Sequence, residues 1–395
     1  MTSATGAATA TAATTTTATA AAATATTATA TAAAAATATA TAAAATAAAT
    51  SAPPATAGAP VKTPGRAVAP AGGKGLHARL LAALAGETLD FAEALALYTM
   101  PEDSPQAQAL ISAARLLTRQ ANGGRGQVFA QIGLDALPCP EMCQYCSFAA
   151  NSTALEARDV LSLDEVVAYA RAFDAAGIHL VSLMATAACD FQRYLAITAA
   201  VRQVLQPSVP ILANLGDLDA GQAQALRQAG ANAIYHAVRL GEGSITNIDP
   251  TRRWQTISHA SLAGLKLMTG VEPLYEQQQP QDVVNRMFET LRSGALCTGC
   301  CPLVPVVGTP LADAGCTPPT PQRRQLIGAI YRLVIGTSIP FGLGGISWVD
   351  AGTNPRGRHL SKDPAELQRQ VAEKKQALAA EGWSIPARPL PEWQA

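Results

Sequence analysis

Charge is missing from the start of this 395-residue chain: no Asp, Glu, Lys or Arg precedes Lys62. Residues 4–50 are Ala and Thr apart from Gly6, without one Leu, Ile, Val or Phe. A tract with nothing to bury cannot offset its chain entropy by packing. The composition therefore predicts a disordered Ala/Thr-rich tail, followed from Ser51 to Lys74 by a Pro/Gly-containing linker. The tail also lacks the basic start and strongly apolar centre of a secretory signal and the roughly twenty strongly apolar residues of a spanning helix. Basic clusters are absent as well, and 28 Lys and Arg balance 28 Asp and Glu. That balance predicts neither a nucleic-acid partner nor a membrane surface. With no mark of secretion, the eight cysteines read as metal or redox ligands rather than a disulfide framework. A reducing cytoplasm is the expected compartment.

What is present begins with Cys139-Pro-Glu-Met-Cys143-Gln-Tyr-Cys146, three thiols separated by three and two residues. Thiolates are the normal protein ligands of iron-sulfur clusters. Three of them on a four-iron cubane leave one iron open to a non-protein ligand. A structural zinc site wants four ligands, typically as two spaced pairs, and no histidine lies near this loop. The spacing favours the cluster over zinc.

The remaining chain alternates. Helical patterns run from Leu76 to about Gln120, and Gly126–Ala136 reads as a strand delivering the chain to Cys139. Ser162-x-x-Glu165 is a capping box opening a helix that Gly177 closes. Strands are expected at His179–Ala185, Ile211–Leu215, Ala233–Leu240, Lys266–Glu272, Leu303–Val307 and Ile339–Leu343, with Pro305 and Pro340 arguing against the last two. Helices separate them, and a final helix starts at Asp363-Pro364. Seven strand-helix steps predict a TIM-type (β/α) barrel, complete or nearly complete. The expected layout is a tail and linker over 1–74, a helical extension over 75–125, the barrel over 126–360 and a C-terminal helix and tail over 361–395. Reactive groups of such barrels sit at the C-terminal strand ends. That rule selects Met184–Thr186, Asn214, His236, Arg239, Thr269–Glu272 and Cys300/Cys301; His236 reads equally well as a satisfied interior histidine.

From about Leu76 to Arg388 the chain resembles the biotin synthase-like branch of the radical S-adenosylmethionine superfamily. The resemblance rests on Cys139–Cys146, Leu215-Gly216 with Gln222-Ala-Gln-Ala-Leu, Asn247-Ile248 with Thr251-Arg252, and Gly308-Thr-Pro-Leu-Ala-Asp313. Residues 297–360 match the part that biotin and thiamin biosynthetic enzymes share. The resemblance implies a 4Fe-4S cluster on Cys139, Cys143 and Cys146, with Tyr145 covering it near adenine. It also implies S-adenosylmethionine held through Met184, Thr186, Asn214, Arg239, Arg253 (or its neighbour Arg252) and Glu272. The reaction implied is reductive cleavage of S-adenosylmethionine and hydrogen abstraction from a small cofactor-biosynthesis precursor, with flavodoxin or ferredoxin as reductant.

Departures from the branch argue against biotin synthase itself. The positions that hold its second, sulfur-donating cluster fall on Val181 or Ser182, on Leu212, on Met268 and near Gly344-Gly345. None is a cluster ligand. Cys297, Cys300, Cys301 and Cys316 can instead build a different auxiliary cluster. By the resemblance Cys301 falls at a substrate-facing position and is the candidate catalytic thiol, whereas buried free cysteines often serve as small hydrophobes. The competing expectation is a non-catalytic iron-sulfur or zinc scaffold in cofactor assembly.

Overall fold

The computed structural model describes residues 73–155, 158–354 and 363–394. The predicted disordered tail lies outside the described residues. Three helices lead in: α1 (Gly73–Leu84), α2 (Phe91–Tyr98) and α3 (Pro105–Ala121). Ser104 caps α3 by accepting from the Ala107 amide at 3.1 Å.

The alternation then follows in order: β1 (Gln127–Gly133), α4 (Leu163–Ala175), β2 (Leu180–Met184), α5 (Phe191–Val204), β3 (Ile211–Asn214), α6 (Ala220–Gln228), β4 (Ala233–Tyr235), α7 (Pro250–Leu262), β5 (Lys266–Met268) and β6 (Val271–Leu274). It continues with α8 (Pro280–Arg292), β7 (Cys297–Thr298), β8 (Cys300–Pro302), the short α9 (Pro310–Asp313), α10 (Pro321–Ile335), β9 (Phe341–Gly342), β10 (Ile346–Gly352) and α11 (Pro364–Ala380). The predicted capping box at Ser162 is formed: Ser162 Oγ accepts from the Glu165 amide at 3.3 Å and Glu165 Oε2 accepts from the Ser162 amide at 2.7 Å. Asp219 and Gln222 make the same exchange at the start of α6.

Eight strands form one parallel sheet in the order β10-β1-β2-β3-β4-β5-β7-β9, and β6 pairs with β8 in a small second sheet. The strands at the two ends of the order, β9 and β10, are separated in sequence by Leu343-Gly344-Gly345 alone. Four Cα steps span at most ~14 Å, so the sheet must curl until its two edges meet across one chain segment. Leu343 (φ 57°) and Gly345 (φ 73°) make that turn in the left-handed region. The result is a curled TIM-type barrel with helices outside.

Three strand expectations are corrected. The sixth strand is Cys297–Pro302, broken at Gly299, and Leu303–Val307 is loop, consistent with Pro305 lacking an amide to donate. The last strand continues past Leu343 as β10, which the Gly-Gly pair concealed. The fourth is shorter than expected, ending at Tyr235, so His236 and Arg239 lie in the following loop.

Side chains of alternate strand residues fill the lower barrel. Phe129, Leu180, Leu212, Ala233, Met268, Cys297 and Phe341 form one buried cluster closed from below by Leu390 and Trp393. Trp393 is fully buried; it stacks on Phe341 at 5.9 Å and meets Phe129 edge-on at 5.7 Å. Among the described residues no helix is long and apolar enough to cross a membrane.

Candidate active site

The upper barrel opens into a cavity of about 840 Å³, within the usual range for small-molecule sites. All eleven expected site residues line it: Cys139, Tyr145, Cys143, Cys146, Met184, Thr186, Asn214, Arg239, Arg253, Glu272 and Cys301. Cys300 and Cys297 line it too. Because Gly299 interrupts β7 and β8, the segment is not one regular strand, and Cys300 and Cys301 both reach the cavity. Cys316 and Cys189 are not part of its lining.

The loop 139–150 is folded back on itself. The Cys139 amide donates to Phe148 O at 2.8 Å and the Ala150 amide to Cys139 O at 2.9 Å. Met142 takes φ 50°, the left-handed conformation that reverses the chain between the first two cysteines. Arg158 donates to the carbonyls of Phe148 (3.0 Å) and Ala149 (3.2 Å). The β4–α7 loop and the short α9 hold it from outside, through Gln144 N to Ile245 O (2.9 Å) and Leu311 N to Gln144 O (3.0 Å). The backbone is thereby fixed without help from the thiols, and none of the eight cysteines is in a disulfide.

Burial pushes the Cys143 thiol up, and it pushes Cys146 up to about 12, with the neighbouring Cys143 adding to the shift. Buried thiols become thiolates when a cation is present to compensate them. Among the described residues no three His, Cys, Asp or Glu side chains are grouped to hold a single metal ion. Zinc requires its donors within about 2.3 Å of one centre, whereas a cubane takes each thiolate on a different iron. The donor set, three thiols and no imidazole, fits an iron-sulfur cluster.

Beside the loop is a charged network that the sequence did not reveal. Asp217 Oδ1 accepts from Arg253 Nη1 at 3.0 Å and lies 3.0 Å from His236 Nε2, and Arg252 Nη2 is 3.3 Å from Asp217 Oδ2. Glu242, with a fully buried side chain, stands 3.5 Å from Arg253 Nε and accepts from the Arg239 amide (2.9 Å) and from Thr246 Oγ1 (2.7 Å). Burial works to raise the Asp217 carboxyl, but the His236 hydrogen bond and the Arg253 charge outweigh it and hold it well below the usual range. His236 is lowered to about 4, burial outweighing Asp217. It is neutral at pH 7, held by Asp217 in the interior and also part of the cavity lining, so both sequence readings stand.

The candidate cations thus separate. Arg252 is half exposed and Arg253 is enclosed by Asp217 and Glu242. Arg239 lies 3.7 Å from both Glu242 and Glu272, and its Nε and Nη1 are buried without a hydrogen bond. On the β2 side the Met184 carbonyl accepts from Leu134 N (2.7 Å), the Ala185 amide donates to Asn214 O (2.8 Å), and the Thr186 amide and hydroxyl donate to Asp135 Oδ1 (3.1 and 2.8 Å). Asp135 is buried and ties this segment to the end of β1.

No family model matches the chain. Biotin synthase of Thermus thermophilus is 30% identical over 247 residues, 60% of this chain and 74% of that protein. The chain belongs to the radical S-adenosylmethionine superfamily. A second relative within that superfamily, biotin synthase of Desulforudis audaxviator, is 28% identical over 259 residues, 63% of this chain and 77% of its own. The radical S-adenosylmethionine barrel is also found in similar solved structures. Methylornithine synthase superposes with a TM-score of 0.63 at 16% identity, over 75% of this chain and 96% of that one. The FeFe-hydrogenase maturase HydG from Carboxydothermus hydrogenoformans gives 0.61 at 16% identity, over 78% and 79%. These two likenesses concern the fold.

Proposed function

We propose that the cavity holds a 4Fe-4S cluster on Cys139, Cys143 and Cys146 with S-adenosylmethionine beside it, and that the chain is an enzyme making a substrate radical. Such a cluster, when bound, supplies the electron that splits the sulfonium of S-adenosylmethionine and yields a 5'-deoxyadenosyl radical for hydrogen abstraction. The observation that carries the reading is one cavity lined by all three loop thiols and by a buried guanidinium with unbonded N–H groups, that of Arg239.

Arg239 Nη1 and Nε stand 3.7 Å from Glu242 and Glu272 without a hydrogen bond, and the methionine carboxylate of S-adenosylmethionine is the acceptor we assign to these buried donors. Glu242 accepts from the Arg239 backbone amide at 2.9 Å and stands 3.7 Å from the guanidinium Nη1. Glu272 and Asn214 offer acceptors to amino and hydroxyl groups, and the Tyr145 ring and Met184 provide the apolar cover that keeps water from the reacting atoms. A small electron-transfer protein of the flavodoxin or ferredoxin class is the proposed reductant.

Biotin formation is not the reaction we favour. The positions where biotin synthase places its second cluster's thiolates carry Ser182, Leu212 and Met268, all facing the cavity. With the loop cluster alone the reaction we favour is a carbon-skeleton rearrangement or fragmentation, whereas an auxiliary cluster on Cys297, Cys300, Cys301 and Cys316 would make it sulfur insertion into another substrate. In a non-catalytic scaffold Arg239 would serve Glu242 and Glu272 alone, and its replacement would leave S-adenosylmethionine binding unchanged. Replacing Arg239→Met in anaerobically reconstituted protein is expected to weaken S-adenosylmethionine binding at least about tenfold while iron content stays at the wild-type level. Unchanged binding would remove Arg239 from the site.

A further inference from the structure

The curled sheet leaves a seam, and the cavity passes through it. β9 is bonded to β7 and β10 to β1, and among the described residues neither edge strand pairs with the other. Two helices outside the barrel, α3 and α10, pack against each other here. Arg115 and Thr118 of α3 and Arg324, Gly328 and Arg332 of α10 line the same cavity as the cysteine loop. The three α10 residues recur at four-residue spacing and so share one helix face. Arg115 and Arg324 are exposed, which brings this arm of the cavity to solvent.

The two helices carry charge of one sign. They contain Arg115, Arg119, Arg323, Arg324 and Arg332 and no Asp or Glu. Arg119 is taken up by the Trp383 ring and the Gly382 carbonyl, and Arg323 by the Tyr98 ring and the Met100 carbonyl. Arg332 is fully buried. Its donors go to Thr118 Oγ1 (3.1 Å) and to the carbonyls of Gly336 (3.0 Å), Ile339 (2.9 Å) and Gly342 (2.8 Å), so no carboxylate neutralises it. Burial lowers it to about 10, which leaves it charged at pH 7. Arg115 Nη2 donates to Gln325 Oε1 at 3.2 Å, beside Arg324, and no carboxylate among the described residues is paired with either arginine. The cavity's carboxylates belong to other elements: Glu272 faces Arg239, Glu141 is on the cysteine loop, and Asp350 of β10 accepts from Asn354. Arg253, the remaining cation of the lining, is enclosed by Asp217 and Glu242.

Two exposed arginines by themselves would be a solvated face, and Gly328 sets this arm apart. A Cβ at Gly328 would meet nothing within 4 Å, so the protein's own packing does not require glycine there. In the middle of a helix glycine costs stability relative to alanine. What it preserves is open room between the buried Arg332 and the exposed Arg324, with Leu343 and Ile346 giving apolar surface at the seam. We propose that the α3–α10 arm holds an oxyanion head of the substrate, a carboxylate or a phosphate, at Arg115 and Arg324, while a neutral, largely apolar part passes Gly328 and the seam toward the cysteine loop. Paired guanidiniums offer such a head charge-assisted, bidentate hydrogen bonds. The site is read from two helices and the seam; that its occupant is the substrate rests on the proposed function.

The test is calorimetric titration of full-length, anaerobically reconstituted protein with hexanoate, hexyl phosphate, n-hexanol and n-hexylamine, each with and without S-adenosylmethionine. At least one of the two anions is expected to bind about tenfold or more tightly than hexanol and hexylamine, and the tighter anion identifies the head as carboxylate or phosphate. The double variant Arg115→Gln, Arg324→Gln is expected to lose that preference. Gly328→Leu, which fills the arm, is expected to weaken the preferred anion at least about tenfold. Both variants should bind S-adenosylmethionine as the wild type does. Hexanol or hexylamine binding as tightly as both anions, or an undiminished preference in the double variant, would overturn the inference. Should the double variant fail to fold, Gly328→Leu decides, and unchanged anion binding there has the same force. A wild type that binds no S-adenosylmethionine would count against the proposed function, and the preference measured in its absence still decides the oxyanion site.

Discussion

His236 and Asp217 make the site's stability depend on pH in a definite direction. The folded His236 titrates near 4 against an unperturbed value of ~6.5, so between those values the unfolded chain binds the extra proton. Stability is then lost as pH falls from about 6.5 toward 4. Asp217, held below its usual value, contributes stability above about 3.9 that disappears as pH falls further, through its folded pKa. Denaturant midpoints measured from pH 7 to pH 5 are expected to decline, and His236→Asn to flatten the decline; an identical slope in the variant would show that His236 is not its source. At this scale the sequence was legible where chemistry is local. Three cysteines within eight residues single out the loop by spacing alone, and all three line the cavity. Asp217 and Glu242 were missed because their partners, Arg253 and Arg239, come from other elements or meet them only once the β4–α7 loop has folded, and no spacing encodes that meeting.

Strands and helices were readable wherever period and caps agreed. Ser162, Asp219 and Thr320 open their helices as their residue types require, Thr320 Oγ1 accepting from the Arg323 amide at 3.0 Å. Failure came at the barrel seam. Gly344-Gly345 looks like an end of structure, yet it is the bend that lets one chain segment serve both sheet edges. The C-terminal plug was not legible either, since residues 390–393 have no periodicity and gain their role from the barrel floor they cover. Trp393 there buries a large ring and donates from Nε1 to Gln127 Oε1 at 3.3 Å. Trp393→Ala should cost about 3–5 kcal/mol by cavity formation, measured by urea unfolding. A cost below about 1 kcal/mol would mean that the plug is not part of the cooperative unit.

For the whole molecule, the parallel barrel gathers the ends of its strands around one cavity, so a short cysteine loop, an arginine three strand-helix steps later and a carboxylate on the final strand come to line the same space. The fold class followed from the strand-helix alternation, but the shape of the cavity did not, because it depends on which strand residues face inward after the barrel curls. The central claim is that this cavity carries out reductive cleavage of S-adenosylmethionine on the Cys139–Cys146 loop. Its most direct test is the formation of 5'-deoxyadenosine by full-length, anaerobically reconstituted protein with dithionite and S-adenosylmethionine, beside a Cys143→Ala variant prepared identically. The account predicts about four irons per chain and 5'-deoxyadenosine from the wild type, with the product lost in the variant. Equal product from both proteins, or none from an iron-loaded wild type that binds S-adenosylmethionine, would contradict it.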